Sequence, residues 1–205
     1  MHPNPVFRQA PEARNREFAR ARGFGMLSVA RGDTPLLAHV PFLLSADGTE
    51  AELHLVRSNP IAQSGPEPMP AIIAVTGPDS YISPDWYGVA DQVPTWNYVA
   101  VHLTGTLRRA DPDELGPMLE RLSAHFEAHL TPKPVWTMDK MSDGVAERMM
   151  RAILPFRMAV TGITGTWKLN QNKADAARLA AAREVETNGV GTELAQLAAM
   201  MRSDP

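Results

Sequence analysis

The chain has 205 residues, no cysteine and a formal net charge of −3. This length is enough to bury a substantial core, and the lack of cysteine excludes disulfides, a thiol nucleophile and thiolate metal sites. The small negative charge does not favour non-specific binding to nucleic acid, which usually needs a basic excess or a basic face. No apolar run approaches the roughly 20 residues that span a bilayer. The first residues lack the order of a signal peptide, so we expect a cytoplasmic protein.

In the first half of the chain, one helix is predicted ahead of a series of strands. Residues 12–22 contain neither Gly nor Pro, which favours a short basic helix that ends at Gly23. Strand-like runs separated by turn-forming residues follow at 24–30, 36–44, 52–56, 71–76 and 98–107. This first half is therefore predicted to be mainly β.

The second half adds helices to the sheet. Asp111 is a plausible N-cap and Pro112 suits the first helical position, so a helix is predicted to begin there. A short helix at 145–153, a strand at 156–163 and two Ala-rich helices at 173–186 and 192–201 complete the chain. We predict a mainly β protein with added helices (α+β), built as a small barrel rather than from βαβ units. It is interpreted as one domain over 1–205, with inserted helices at about 112–153 and C-terminal helices at about 173–202.

Two clusters combine aromatic and polar side chains. One is residues 93–98, with the sequence Val-Pro-Thr-Trp-Asn-Tyr, and the other is residues 165–172, Gly-Thr-Trp-Lys-Leu-Asn-Gln-Asn. Trp and Tyr each offer a large flat face with one polar tip, and the Asn and Gln carboxamides donate and accept in one plane. Together the clusters supply what a flat heterocycle with an anionic tail requires. The alternative for each aromatic residue is core packing, which is the commonest role of Trp and Tyr.

Several motifs in order along the chain resemble those of the PaiB-type FMN-binding negative transcriptional regulators. Besides the two clusters, they are Val6-Phe7-Arg8, the segment 39–44 (His-Val-Pro-Phe-Leu-Leu), the segment 54–60 (His-Leu-Val-Arg-Ser-Asn-Pro) and the segment 77–87 (Gly-Pro-Asp-Ser-Tyr-Ile-Ser-Pro-Asp-Trp-Tyr). The resemblance implies an FMN-binding split β-barrel that forms a homodimer with the flavin at the dimer interface. It also implies a role in transcriptional regulation.

An FMN site must satisfy a phosphate and a ring by different means. The phosphate needs a guanidinium, hydroxyls and backbone amides, which Arg57, Ser58 and Asn59 provide at the end of a strand. The alternative for this triplet is a surface Arg and a polar turn. The ring needs a dry slot with hydrogen bonds along its pyrimidine edge. The candidates for that slot are Ala38, His39, Val40, Trp96, Asn97, Tyr98, Trp167, Lys168 and Gln171, and the group around Trp167 is expected to reach the flavin of the partner chain.

Two positions depart from the family pattern. Residues 88–92 are short and acidic where family members usually have a longer loop with Lys, so no flavin contact is assigned to that loop. Asn170 replaces the usual Ser of the Lys-Leu-Ser-Gln element, which leaves its local contact open.

The sequence lacks the motifs of a metal site, a phosphate-binding loop or a dinucleotide-binding site. His125 and His129 have helical spacing, but without a third ligand they are interpreted as a solvated helix face, and no metal site is predicted. Residues 162–168 do not have the spacing of a phosphate-binding loop. The sequence contains no glycine-rich dinucleotide fingerprint, so NAD(P)H would bind only transiently. No catalytic residue is assigned.

Three functions therefore remain open at this stage. The first is the FMN-binding regulator, with DNA as a second partner. Its DNA contacts would come from Arg14, Arg16, Arg20 and Arg22, because the chain as a whole is acidic. The second is an FMN-dependent oxidoreductase, similar to a flavin reductase, that acts on a small molecule. The third is a flavin carrier or redox sensor that acts through a protein partner.

Overall fold

The computed structural model describes residues 1–31 and 33–203. The strands within these residues are β1 (Phe24–Val29), β2 (Leu36–Leu44), β3 (Glu50–Val56), β4 (Met69–Ile82), β5 (Thr95–Arg109), β6 (Ile153–Lys168) and β7 (Val190–Thr192). The α-helices are α1 (Glu12–Arg22), α2 (Pro60–Gln63), α3 (Leu115–Glu127), α4 (Val145–Met150), α5 (Asp175–Asn188) and α6 (Leu194–Arg202). Short 3-10 turns lie at Pro5–Arg8, Pro84–Tyr87, Pro112–Glu114, Ala128–Leu130 and Met138–Lys140.

The strands are hydrogen-bonded in the order β1-β2-β3-β6-β5-β4-β7, and β1 also pairs with β4. This extra pairing closes the first six strands into a barrel. The pairings β1–β2, β1–β4, β2–β3, β3–β6 and β4–β7 are all antiparallel. The predicted α+β class with a mainly antiparallel sheet is confirmed.

Burial along the barrel strands follows the two-residue period of a sheet. In β1, Leu27 and Val29 are buried, and in β2 the buried residues are Val40, Phe42 and Leu44. Alternate side chains point to opposite faces of a strand, so each strand contributes one apolar row to the interior. The core of the barrel is built from these rows.

The chain divides into two compact units. Unit 1 comprises residues 1–15, 76–101 and 164–205, and unit 2 comprises residues 16–75 and 102–163. Strands β1, β2 and β3 belong to unit 2, together with α2, α3 and α4, while α5, α6 and β7 belong to unit 1. Strands β4, β5 and β6 each contribute residues to both units. The interpretation of residues 1–205 as one domain stays a prediction.

A network of charges joins four elements of unit 2. Arg157 on β6 makes ion pairs with Glu50, Glu52 and Glu114. Glu52 also accepts two hydrogen bonds from Arg121 of α3, at 3.0 and 2.8 Å. Because Glu52 is buried, the cost of removing its charged carboxylate from water must be offset by these ion pairs and hydrogen bonds.

In unit 1 the C-terminal helices pack together and attach to the sheet. Val185 of α5 and Leu197 of α6 are fully buried, and β7 pairs with the end of β4. Arg178 is also buried, where it donates to the carbonyl of Met201 and pairs with Asp175. These contacts fix both helices against one another.

The observed elements follow the predicted ones closely in position but not in length. The helix predicted at 12–22 is confirmed, whereas β4 and β6 are longer than the predicted strands at 71–76 and 156–163. Both extensions contain residues that usually end strands, namely Gly77-Pro78 in β4 and Gly165 in β6. Among the residues that the structure describes, no helix is long and apolar enough to cross a membrane.

Candidate functional site

The residues predicted to bind the phosphate lie at one end of the barrel in unit 2. Strand β2 is antiparallel to β3, so the start of β2 and the end of β3 lie at the same end of this pair. Residues 38–40 are in the first half of β2, and residues 57–59 follow β3 directly. The fold therefore brings these two predicted groups to the same end of the barrel.

Arg57 is exposed and anchored through only part of its guanidinium group. Its Nε donates to the carbonyl of Arg151 at 2.6 Å, and its backbone N–H donates to the carbonyl of Ala152 at 2.9 Å. In the described part of the chain, the two terminal nitrogens of Arg57 have no hydrogen-bond partner, and the neighbouring Ser58 is also exposed. An anion could therefore be bound by these groups without breaking an existing contact.

Asn59 has a structural role beside them. Its side-chain oxygen accepts a hydrogen bond from the backbone N–H of Ile61 at 2.9 Å and caps α2. Pro60 takes the first position of that helix, where its missing N–H costs nothing. The carboxamide oxygen of Asn59 is thus committed to the turn, and only its nitrogen remains for a ligand.

The three predicted residues of β2 differ in exposure. Val40 is buried in the core, Ala38 is half-buried and His39 is exposed. The His39 ring stacks on that of Phe24, with 6.4 Å between the ring centroids and 23° between the planes. Of these three, only His39 offers a side chain with hydrogen-bonding groups at the surface.

Arg109 was missed by the sequence interpretation. It ends β5, and its terminal nitrogen donates to the carbonyl of Ala62 in α2 at 2.7 Å. Its Nε is buried and, among the described residues, has no hydrogen-bond partner. This buried donor lies beside the helix that follows residues 57–59, which makes Arg109 a further candidate for an anion contact. The pair Arg108-Arg109 at a predicted strand end was the available signal.

In unit 1, residues 95–98 of the first cluster lie inside β5, whereas the strand was predicted to begin at residue 98. Trp96 is 47% exposed and packs edge-on against Tyr81, with 6.3 Å between ring centroids. Tyr98 is half-buried, whereas Asn97 is fully buried. Because side chains alternate along a strand, Asn97 points to the opposite face from Trp96 and Tyr98. The three residues therefore cannot all line one face of a ligand from this strand.

Asn97 carries an unusual buried acceptor. Its nitrogen donates to the sulfur of Met201 at 3.5 Å, while its oxygen has no partner among residues 1–31 and 33–203. An unsatisfied buried carbonyl costs about 1–3 kcal/mol. The Asn97 oxygen could accept a hydrogen bond from a donor that is not among the described residues.

Trp167 is held rigidly near the end of β6. Only 4% of it is exposed, and its Nε1 donates to the side-chain oxygen of Asn15 at 2.7 Å. The guanidinium of Arg14 lies 4.0 Å from the ring centroid. Two adjacent residues of α1 therefore fix the edge and one face of this indole.

Gly165 allows this contact, and replacing it with Ala is expected to break it. An added Cβ would lie 2.0 Å from the Asn15 side-chain oxygen, far below a real contact distance. Gly165→Ala should therefore displace Asn15 and lower the free energy of unfolding by about 2–4 kcal/mol, measured by urea denaturation. Gly162→Ala, in the same strand but with nothing within 4 Å of the added Cβ, is the matched control and should change it by under about 1 kcal/mol. Equal stability of the two variants would contradict the role of Asn15.

Lys168 is partly buried with a polar partner. Its Nζ contacts the hydroxyl of Thr95 and lies 5.7 Å from the centroid of the Phe7 ring. Burial, together with the nearby charge of Lys173, lowers the pKa of Lys168. An anion placed beside this ammonium would reverse that effect by favouring its charged form.

Gln171 uses its carboxamide within the chain. Its oxygen accepts from the backbone N–H of Leu169 at 2.8 Å, and its nitrogen donates to the carbonyls of Trp167 at 2.5 Å and Val6 at 3.4 Å. It closes the turn after β6 and ties the turn to the N-terminal segment. Together with Trp167 and the N-terminal turn, Gln171 lines a cavity of about 280 Å³ within unit 1.

Asn170 has a physical reason to replace the family's Ser. Its φ is 62°, in the left-handed region that Asn tolerates better than most residues. The residue is buried, and its side-chain oxygen accepts a hydrogen bond from the hydroxyl of Tyr87 at 3.3 Å. Asn170 therefore serves the fold by joining two motifs that are far apart in sequence.

Comparison with known proteins places this geometry in a family. Residues 1–162 match the family described as "Putative FMN-binding domain". The chain is 30% identical over 158 residues to "Protease synthase and sporulation protein PAI 2" of Bacillus subtilis, covering 76% of this chain and 75% of that protein. It is also 34% identical over 117 residues to an uncharacterized protein of Saccharomyces cerevisiae, covering 51% and 69%. The chain belongs to the FMN-binding domain family and is a PaiB-like protein with FMN as its cofactor.

Solved structures agree on the fold. The FAD and heme binding protein of Mycobacterium smegmatis has a TM-score of 0.58 at 16% identity, covering 83% of this chain and 78% of that one. The flavocytochrome Anf3 of Azotobacter vinelandii has a TM-score of 0.56 at 9% identity, covering 82% and 72%. The barrel of this chain is the split β-barrel predicted from its sequence.

Proposed function

We propose that this protein is a homodimeric, cytoplasmic FMN-binding regulator of the PaiB type that acts on DNA. The observation that carries the proposal is the 30% identity with the Bacillus protein over three quarters of both chains. Bound FMN would supply reversible electron transfer, which suits a regulator that responds to the redox state. The residues of this chain would bind and orient the flavin.

We propose that the phosphate is bound at the end of the barrel in unit 2. Arg57 contributes the terminal nitrogens of its guanidinium, Ser58 its hydroxyl and Asn59 its side-chain nitrogen. Arg109 adds a buried Nε that lacks a partner among the described residues. The charges and donors match a phosphate, which prefers guanidinium forks and fixed hydroxyls. Residues 38–40 lie at the same end and are proposed to contact the flavin beside it.

For the ring of the flavin held by the partner chain, we propose two kinds of contact from unit 1. Trp96 and Tyr98 offer exposed and half-exposed aromatic faces on one side of β5. Lys168 offers a positive charge for the pyrimidine edge, where reduction builds negative charge. Trp167 and Gln171 are proposed to hold Lys168 in place, since their own polar groups are bonded within the chain. Asn97 is proposed to meet a donor through its free oxygen.

Binding of FMN is tested by titrating flavin-free protein. At a free FMN concentration of 100 Kd, the free energy of unfolding should rise by about 2.7 kcal/mol, and the melting temperature should rise with it. Riboflavin, which lacks the phosphate, is the matched ligand and should stabilise the protein less. Protein that stays colourless and shows no stabilisation by FMN would contradict the assignment.

The homodimer is proposed because split barrels of this family are expected to hold the flavin at a two-fold interface. Such an interface is isologous, so each residue set would occur twice. Light scattering at micromolar concentration should report twice the 22.4 kDa mass of the chain. A monomer that retains its flavin would contradict the proposal.

The regulator is separated from the oxidoreductase by two measurements. A regulator should bind its own promoter DNA more tightly than random DNA, with strong salt dependence. An oxidoreductase should instead let NAD(P)H reduce the flavin and pass electrons to an acceptor over many turnovers.

Within α1, Arg14 covers Trp167 and Arg20 donates to the carbonyl of Leu44 at 3.2 Å. Arg16→Gln leaves both of these contacts in place and tests a DNA contact from α1, and normal promoter binding by this variant would argue against a contact from Arg16.

A further inference from the structure

We propose a second binding site in unit 2, between α3 and residues 135–153, for an organic cation with an apolar body. The proposal is independent of the flavin site, because none of the residues predicted to bind FMN lines it. It consists of two cavities that share three lining residues, one cavity apolar and the other acidic.

The apolar cavity has a volume of about 350 Å³, within the range of small-molecule sites. Four methionines line it, Met138, Met141, Met149 and Met150, and Leu119 and Trp136 add further apolar surface. Met side chains are flexible and polarizable, so they adapt to ligands of different shape and pack well against aromatic rings. The lining therefore suits a hydrophobic, preferably aromatic, body.

The second cavity, of about 330 Å³, shares Ser123, Trp136 and Met138 with the first. It adds the carboxylates of Glu120 and Asp139, both on exposed residues. Within residues 1–31 and 33–203, neither carboxylate is in an ion pair. A ligand whose apolar body fills the first cavity would place a positively charged group in the second.

The nearby lysines do not neutralise this pair of carboxylates. Lys133 is paired with Glu127, and Lys140 donates to the backbone carbonyl of Val135 at 2.8 Å. Neither lysine lines either cavity. The ammonium of Lys140 keeps its charge, but the two carboxylates of Glu120 and Asp139 outnumber it. The charge of the site therefore favours a cation and opposes an anion such as the FMN phosphate, and the indole of Trp136 can add a cation–π contact.

Three ligands of matched shape test the proposal: 4-phenylbutylamine, 4-phenylbutanol and 4-phenylbutyrate. They share the aromatic body and differ in charge from positive through neutral to negative. The full-length, FMN-loaded protein is labelled with ¹³C at the methionine methyl groups and titrated with each ligand. We expect the amine to shift the methyl signals of Met138, Met141, Met149 and Met150, each identified by its Met→Leu variant. The amine should bind roughly five- to tenfold more tightly than the alcohol, as two exposed carboxylates allow, and the carboxylate should bind most weakly.

Variants separate the charge from the cavity. Glu120→Gln with Asp139→Asn should reduce the preference for the amine over the alcohol to less than about twofold. Asp143→Asn with Glu147→Gln removes two charges from the same segment without touching a lining residue, and it should leave the preference unchanged. Ala146→Phe, which fills the apolar cavity, should abolish the shifts from all three ligands. The flavin absorbance and the melting temperature show in each case that the variant is folded.

Equal affinities for the three ligands, or shifts at methionines outside the cavity, would overturn the proposal. Methyl shifts that appear when the protein is concentrated without ligand, and that the amine does not change, would assign this face to a second copy of the chain instead. The FMN titration is read from the flavin absorbance, so its failure is distinguishable from failure here.

Discussion

Arg57→Ala is expected to weaken FMN binding by roughly 10- to 150-fold while changing the stability of the flavin-free protein little. The estimate corresponds to loss of one charge-assisted contact to phosphate, about 1.5–3 kcal/mol. Folding should tolerate the change because the residue is exposed and, in the part of the chain that the structure describes, its side chain makes one hydrogen bond, from Nε to the carbonyl of Arg151. The Kd for FMN is measured by fluorescence quenching, and stability by urea denaturation without FMN.

Two further variants make this result specific. Arg183→Ala removes an equally exposed arginine from α5 and should leave the Kd unchanged. Arg57→Lys keeps the charge but loses the planar fork, and it should recover only part of the affinity. Riboflavin binding should be nearly the same in Arg57→Ala and the natural protein, because riboflavin has no phosphate. An unchanged FMN affinity in Arg57→Ala would move the phosphate to another cation, with Lys168 and Arg109 the next candidates.

Arg157→Met is expected to lower the free energy of unfolding by about 3–5 kcal/mol, the usual cost of leaving a buried carboxylate without its partner. Arg157 is paired with three glutamates, of which Glu52 is buried. Removing the guanidinium would leave three carboxylates close together, with Arg121 still paired to Glu52 and the charge of Arg108 still acting on Glu114. Chemical denaturation at pH 7 measures the loss.

Arg121→Met is the matched control for this network. The Arg121 side chain is 45% exposed and, within the described residues, pairs with Glu52 alone, so its loss should cost only about 1 kcal/mol. If both variants lose the same stability, Arg157 is not the centre of the network.

Acid should weaken the same network. A backbone hydrogen bond at Asp111 and then the side chain of Arg157 lower the pKa of Glu114 below its usual value of 4.5. A carboxylate with a lowered pKa in the folded state stabilises the protein above its unfolded pKa. That contribution is lost as the pH falls from about 4.5 through the folded pKa. In Arg157→Met the loss should be smaller, since the Asp111 backbone contact and the charge of Arg108 remain but the contribution of Arg157 is gone.

Several structural features of the candidate flavin region could be predicted because they depend on local sequence. Asn59-Pro60 is a helix start by the chemistry of its two residues, and the structure has α2 beginning there. The alternation of apolar residues along β2 predicts which of its side chains are buried in the core. Arg57 was selected as a candidate for the phosphate because a guanidinium at a strand end beside Ser and Asn is a local pattern. Arg109 was missed because its significance depends on Ala62, which is 47 residues away.

The amino-acid sequence by itself determined the α+β class, the order of the strands and helices along the chain, and the family motifs. These depend on the two- and 3.6-residue periods, on capping residues and on short-range order, all of which act between neighbours in the chain. Tertiary structure alone decided that Trp167 is held by Asn15, 152 residues earlier, and that Asn97 faces away from Trp96. It also decided that the carboxamide of Gln171 is used within the chain. Such pairings depend on which segments pack together in the folded chain. The short-range periodicity of the sequence does not specify them.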